Sequence, residues 1–151
     1  YNKISGGSLR PVLETLEGIV AKGKWLEVTT LLIPELNDST EELKALTKWL
    51  AGLSVDIPWH ISRFSPRYKQ MDRPATPASV MEKARDIGRE SGLRYVYIGN
   101  ACGPGYGDTV CPSCGQVLIR RSGFWVDEYL LDPQGQCPGC GTRLAGRWRA
   151  K

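Results

Sequence analysis

The sequence predicts an α/β fold followed by a small metal-bound module, and three observations carry that reading. Helix-like and strand-like segments alternate through residues 1–100. All five cysteines lie beyond residue 101. Four of these form the same motif twice, Cys111-Pro-Ser-Cys114-Gly and Cys137-Pro-Gly-Cys140-Gly.

Residues 8–23 read as a helix, because Leu9, Val12, Leu13, Leu16, Ile19 and Val20 recur at helical spacing. Ser8 is placed to cap its start and Gly23 to close its end. Residues 25–33 are rich in β-branched and apolar side chains and stop at Pro34, which marks a strand. Residues 39–52 form the second helix. Ser39 and Glu42 suit a capping box, and Leu43, Leu46, Trp49, Leu50 and Leu53 form the apolar stripe. Residues 57–64 are the second strand, and a Pro- and Arg-rich loop, 65–75, follows. Thr76 is expected to cap a third helix with Pro77 at its first position, where a missing N–H costs nothing. Val80, Met81, Ala84 and Ile87 face inward, Gly92 stops the helix, and residues 94–98 are the third strand.

Strands alternating with helices imply a parallel sheet with right-handed crossovers. Parallel sheets are normally covered on both faces and flanked by further strands. The chain, which begins at Tyr1 without a methionine, is therefore expected to be the second half of a larger α/β domain, with its missing strands before Tyr1. The glycine-rich stretch 99–108 lacks the Lys-Ser/Thr ending of a phosphate loop and reads as a hinge. Three parts follow: residues 1–100, a linker at 101–110, and a ribbon with a basic tail at 111–151.

The spacer between Cys114 and Cys137 is 22 residues and reads as a hairpin, 117–121 paired with 124–131 around a turn at Ser122 and Gly123. In each knuckle two thiolates project to one side of a tight turn, and the following glycine accepts an unusual backbone angle. The pattern is that of a zinc ribbon, in which four thiolates hold a tetrahedral metal. An iron site of the rubredoxin kind uses similar knuckles. A redox dithiol would need a single Cys-x-x-Cys near a βαβ unit, so the duplication argues against it. Cys102 stands apart as a free loop thiol.

Composition narrows the partners. Hydrophobic residues make up 41% and charged residues 24%, which is globular rather than disordered. The net charge of +4 divides evenly, +2 in residues 1–101 and +2 in 102–151, so a strong nucleic-acid surface is not expected. No apolar run approaches the ~20 residues of a membrane span, and no secretory leader opens the chain. Cysteines confined to one module suit a reducing, cytoplasmic setting.

The segments 3–7 (KISGG), 27–39 (EVTTLLIPELNDS), 58–68 (PWHISRFSPRY), 95–100 (YVYIGN) and 111–123 (CPSCGQVLIRRSG), with the second knuckle, resemble a known family. They are similar to the C-terminal part of radical S-adenosylmethionine enzymes related to pyruvate formate-lyase activating enzyme, among them the radical enzymes of the AmmeMemoRadiSam system. The resemblance implies the C-terminal half of a partial (β/α)6 barrel, with the first strand here as its fifth and the second as its sixth, and a zinc ribbon appended. It also implies that the 4Fe–4S cluster motif and the Gly-Gly-Glu segment lie before Tyr1, so that this fragment alone is inactive and has no catalytic residue of its own. The parent would cleave S-adenosylmethionine to a 5′-deoxyadenosyl radical.

Strand alternation puts Glu27, Thr29, Leu31 and Ile33 on one face, and His60, Ser62 and Phe64 on another. In a barrel of this family the lumen would hold Thr29, His60 and Ser62 beside the cofactor, with Val28, Trp59 and Ile61 packed against helices. By the resemblance, Leu31, three residues before the strand-five proline, contacts adenine, and Tyr68 stands where the activating enzyme has a histidine that reaches the cofactor. His60, the only histidine, has a structural reading of equal weight. Asn37 and Asp38 fit turn chemistry, and Arg63, Arg67, Lys69 and Arg73 mark a loop that could meet an anionic substrate or a protein. The expected partners are the missing half of the barrel and a protein substrate or partner. The alternatives are a nucleic-acid- or protein-binding ribbon using Arg120, Arg121 and Phe124, and a rubredoxin-like electron carrier. The tail Arg143, Arg147, Trp148, Arg149 and Lys151 reads as a solvated or packing end.

Overall fold

A computed structural model describes residues 1–148, so Arg149 and Lys151 of the basic tail lie outside the described residues. The elements run α1 (Asn2–Ser5), α2 (Leu9–Ala21), β1 (Val28–Leu32), α3 (Thr40–Leu53), β2 (Trp59–Arg63), α4 (Ala78–Glu90), β3 (Val96–Gly99), β4 (Thr109–Val110), β5 (Val117–Ser122) and β6 (Trp125–Tyr129). The expected helix–strand alternation is present. The short α1 and the short strand β4 have no sequence signal of their own, since neither is long enough to show a period.

The first sheet is parallel in the order β1-β2-β3, with Thr29 opposite His60 and His60 opposite Tyr97. One face carries Val28, Thr30, Leu32, Trp59, Ile61, Val96 and Ile98 into a core closed by α3 and α4 through Leu43, Leu50, Met81, Ala84 and Ile87. Trp59 is fully buried, and its indole N–H donates to Thr30 Oγ1 at 2.9 Å. Gly88 is required by this packing. A Cβ there would lie 2.9 Å from the Trp59 ring, closer than carbon atoms approach. Helix α2 differs from the other two long helices. It is amphipathic yet buries no residue, and Leu9 and Val12 on its apolar stripe are exposed.

Local chemistry departs from expectation at several ends. Ser39 Oγ accepts from Glu42 N at 3.3 Å, so α3 has the expected cap. Ser8 precedes α2 but its side chain makes no cap bond. Thr76 is not the cap of α4: Pro77 holds that position, and the Thr76 hydroxyl is turned inward. Fully buried, it accepts from Phe64 N at 3.1 Å and donates to Leu32 O, tying the ends of β1 and β2 together. The competing demand is that of two buried backbone groups at strand ends, which lack any other partner. Asn37 and Asp38 act as turn residues: Asn37 Oδ1 accepts from Ile33 N, and Asp38 Oδ1 accepts from Glu35 N.

The second sheet is antiparallel in the order β4-β5-β6. Segment 101–110, read as a hinge, makes ordered contacts. Tyr106 is buried in the first core, its carbonyl accepts from Ile98 N, its hydroxyl donates to Glu82, and Thr109–Val110 forms β4. Trp148 packs against the second core and donates to Leu144 O. No helix among the described residues is long and apolar enough to cross a membrane.

Replacing Thr76 by Val keeps the shape but strands Phe64 N–H and Leu32 C=O. Each buried unpaired group costs ~1–3 kcal/mol. Urea denaturation of Thr76→Val is expected to show a lowered midpoint, a loss of about 2 kcal/mol or more, at unchanged slope. A midpoint equal to that of the parent chain would mean that the tie between β1 and β2 is not needed.

Candidate functional site

Each cysteine knuckle is built by a turn that closes on itself. Gly115 N donates to Cys111 O at 3.0 Å and Gly141 N to Cys137 O at 2.8 Å. Both glycines have left-handed backbone, φ 77° and 73°, which a side chain would resist. The chain then turns back so that the Gln116 and Thr142 N–H groups point at the sulfurs of Cys114 and Cys140. The hairpin of β5 and β6 returns the second knuckle to the first.

The four sulfurs lie within 4.8 Å of one another. Cys111–Cys140 and Cys114–Cys137 are each 3.6 Å apart, far beyond the ~2.05 Å of a disulfide. A zinc–sulfur bond of ~2.3 Å demands a tetrahedron with edges of about 3.8 Å, so the donor set fits a tetrahedral metal of this size. Cys111 and Cys137 are buried, whereas Cys114 and Cys140 are exposed. Leu118, Ile119, Leu131 and Leu144 back the buried pair.

Electrostatics point the same way. The Thr142 hydroxyl, 3.2 Å from Cys140 Sγ, and the Thr142 N–H hold the Cys140 thiol down to about 6. The Gln116 N–H favours a thiolate at Cys114, but burial and the three neighbouring cysteines outweigh it and push that thiol up to about 12. Four sulfurs this close cannot all ionise in the absence of a cation, and a divalent metal removes that penalty.

The open face of the parallel sheet gathers the residues expected around a cofactor. Thr29, Leu31, His60 and Ser62 share it, and Leu31 and Thr29 are exposed. Val28, Trp59 and Ile61 lie on the helix side. Tyr68 is not with them: it stands 84% exposed in the loop after β2, with Lys69 5.4 Å from its ring centre. Among the described residues, three that are not glycine have left-handed backbone, Glu35, Tyr68 and Asn100, and each follows the C-terminal end of one parallel strand. Backbone strain of this kind clusters at ligand sites.

His60 lies near the start of β2. Its Nε2 is 2.8 Å from Glu27 Oε2, and its ring stacks on Tyr97 at 5.2 Å. Glu27 and Tyr97 escaped the sequence-based selection of site residues. The signal available was their place on the same strand face as His60. Of the loop cations, Arg63 donates to Thr76 O, Arg73 donates to Pro34 O and pairs with Glu35, and Arg67 and Lys69 are exposed. On the ribbon, Arg121 is engaged with Gly107 O and Thr109 Oγ1, and Arg120 faces Asp108 and Glu128. Phe124 remains fully exposed at the hairpin turn, and Cys102 is an exposed free thiol.

No protein-family model matches the sequence, and no solved structure matches it. Uncharacterized protein MJ0808 of Methanocaldococcus jannaschii is 40% identical over 146 residues, which are 95% of this chain and 44% of that protein. The chain therefore spans less than half the length of this relative.

Two outcomes check the four-sulfur site. In metal-free protein near neutral pH, Cys140 is expected to alkylate first among the four, and added zinc to protect all four while Cys102 stays reactive. Equal labelling with and without zinc would count against a metal site. Removal of metal by a strong chelator is expected to abolish hydrogen-exchange protection across residues 110–145, because a module with little core draws its folding free energy from the metal. Retained protection there would show that the core suffices.

Proposed function

We propose that this chain is the C-terminal half of a radical S-adenosylmethionine enzyme of the pyruvate formate-lyase activating type, carrying a structural zinc ribbon. The observation that supports it most directly is the parallel sheet with helices on one face and Thr29, Leu31, His60 and Ser62 side by side on the other. A face of this kind is suited to line a barrel lumen. Ligands of parallel α/β folds sit at strand C-termini, and the left-handed residues Glu35, Tyr68 and Asn100 stand there. The unburied stripe of α2 and the free edge of β1 agree with a preceding strand and helix supplied by a longer polypeptide.

In this reading Leu31 offers an apolar contact to adenine, and Thr29, Ser62 and His60 offer hydrogen bonds to the sugar or the amino-acid end. Tyr68, on its exposed loop, would reach the cofactor only from the rim. The chain has no ligand set for the 4Fe–4S cluster, since residues 1–101 contain no cysteine, Cys102 is a single thiol and the other four cysteines form the ribbon's cluster. The cluster would supply the electron that cleaves the cofactor, and its ligands would come from the preceding half. The ribbon's donor set suits zinc in a structural role.

A second reading, electron transfer by an iron-loaded four-cysteine site, is favoured by one observation: Cys114 and Cys140 are exposed, which would give an electron a short path out. Metal analysis of protein purified from its native source separates the two. Zinc alone excludes the electron carrier, and iron with thiolate absorption supports it.

The principal test uses the longer archaeal relative. Reconstituted with iron and sulfide under anaerobic conditions and reduced, it is expected to bind one 4Fe–4S cluster and release 5′-deoxyadenosine from S-adenosylmethionine. A protein that takes up no cluster, or that holds one and releases no 5′-deoxyadenosine, would overturn the assignment.

A further inference from the structure

Two side chains hold His60, and one of them, Tyr97, is linked to the four-cysteine module through Thr109. From the residue before β1, the Glu27 carboxylate accepts from Nε2 at 2.8 Å, and its second oxygen accepts from the Trp25 indole N–H at 2.9 Å. From β3, Tyr97 stacks on the imidazole with an interplanar angle of 24°. The Tyr97 hydroxyl is in turn 3.0 Å from Thr109 Oγ1 of β4. From the ribbon, Arg121 of β5 donates to the same Thr109 Oγ1 and to Gly107 O, and its backbone N–H donates to Asp108. The positive charge of Arg121 also reaches the sheet. Burial acts to raise the Glu27 carboxyl, but the Trp25 and His60 hydrogen bonds and the charges of His60 and Arg121 hold it below the ordinary carboxylate value.

The connection to the knuckles is short. Thr109 and Val110 pair with Ile119 and Val117, and Cys111 follows at once. Tyr95, just before β3, is buried with Cys111 and Cys137 in one apolar cluster, and its hydroxyl accepts from Ala145 N at 3.1 Å. Tyr95 and Tyr97 therefore take part of their surroundings from a module that has little core of its own, and Glu27 feels the charge of Arg121.

We propose that Glu27, Tyr97 and Arg121 are positioning residues that fix His60 in one tautomer and one ring orientation, and that metal binding at the four cysteines is what holds this arrangement in place. With the proton on Nε2 facing Glu27, Nδ1 is the acceptor nitrogen of the neutral ring. The side chain is 35% exposed, between Thr29 and Tyr97 in the register of the open face. A ligand on that face meets a hydrogen-bond acceptor of set direction instead of a rotating ring. This assigns the ribbon a task in the site of the first domain. It rests on the reading that the open face binds a ligand, but the arrangement itself can be measured in the absence of any ligand.

The chain has one histidine, so the test is free of overlap. Long-range proton–nitrogen correlation of protein labelled with 15N-histidine reports which ring nitrogen carries the proton. In alkaline buffer and with zinc bound, a single set of signals with the proton on Nε2 is expected. A proton on Nδ1, or the averaged pattern of a free imidazole, would overturn the proposal. Chelation of the metal is expected to convert the single pattern to the averaged one while amide protection in β1 and β2 persists. An unchanged imidazole after metal loss would overturn the metal-dependent part.

Cysteine variants could act by unfolding the ribbon, so Tyr97→Phe and Arg121→Met, compared with metal bound, keep the test specific. Both are expected to move the imidazole resonances toward the averaged pattern while zinc content stays at one per chain. Invariant spectra in both would remove the positioning role. These readouts involve neither S-adenosylmethionine nor turnover, so a negative result here and a failure of the enzyme assignment are distinguishable.

Discussion

Tyr95 and Tyr97 leave the chain on the same side of the parallel sheet, and the second half of the molecule depends on them. A parallel sheet buries both faces. Helices α3 and α4 cover one face around Trp59. The other is covered at β3 by the cysteine module, where Tyr95 enters the cluster containing Cys111 and Cys137 and Tyr97 reaches β4. The module is therefore part of the cover of the sheet. Its 111–148 portion contributes only a handful of buried apolar side chains, which is too small a core for a free-standing unit. Attachment to β3 compensates in part, and the four sulfurs are spaced to hold a metal ion that would supply the rest.

Toward β1 the same face changes character. Thr29 and Leu31 are exposed and Ser62 is half-buried, β1 is the edge strand among the described residues, and α2 has no fully buried residue. The polar and apolar side chains there are juxtaposed as a binding surface requires, and left-handed residues follow each strand end. Coverage of less than half of a longer relative places the chain beside further polypeptide in that protein. The sheet thus has two unlike ends: β3 is covered by the ribbon, and β1 is the edge strand among the described residues.

The two arginines of the ribbon make contacts within the chain. Arg120 and Arg121 are adjacent to exposed Phe124 in sequence and look like a phosphate-and-stacking set. In the folded chain Arg121 donates to Gly107 O and Thr109 Oγ1, and the half-exposed Arg120 lies 3.7 Å from Asp108 and 3.6 Å from Glu128.

The sequence alone determined the alternation of helices and strands, the four metal cysteines and the two faces of the strands, because these follow from periods and spacings within short stretches. Residue alternation was enough to separate Thr29, His60 and Ser62 from Val28, Trp59 and Ile61. Tertiary structure decided the rest, since each remaining feature joins residues far apart in the chain. Thr76 looked like a cap beside Pro77, but the unpaired backbone of Phe64 and Leu32 claimed its hydroxyl. The glycine-rich segment looked like a hinge, but Tyr106 anchors it in the core and Thr109 supplies a strand. The setting of His60 lay beyond any local pattern: Glu27 and Tyr97 meet it across neighbouring strands far apart in the chain, and Tyr97 is tied through Thr109 to Arg121 of the ribbon.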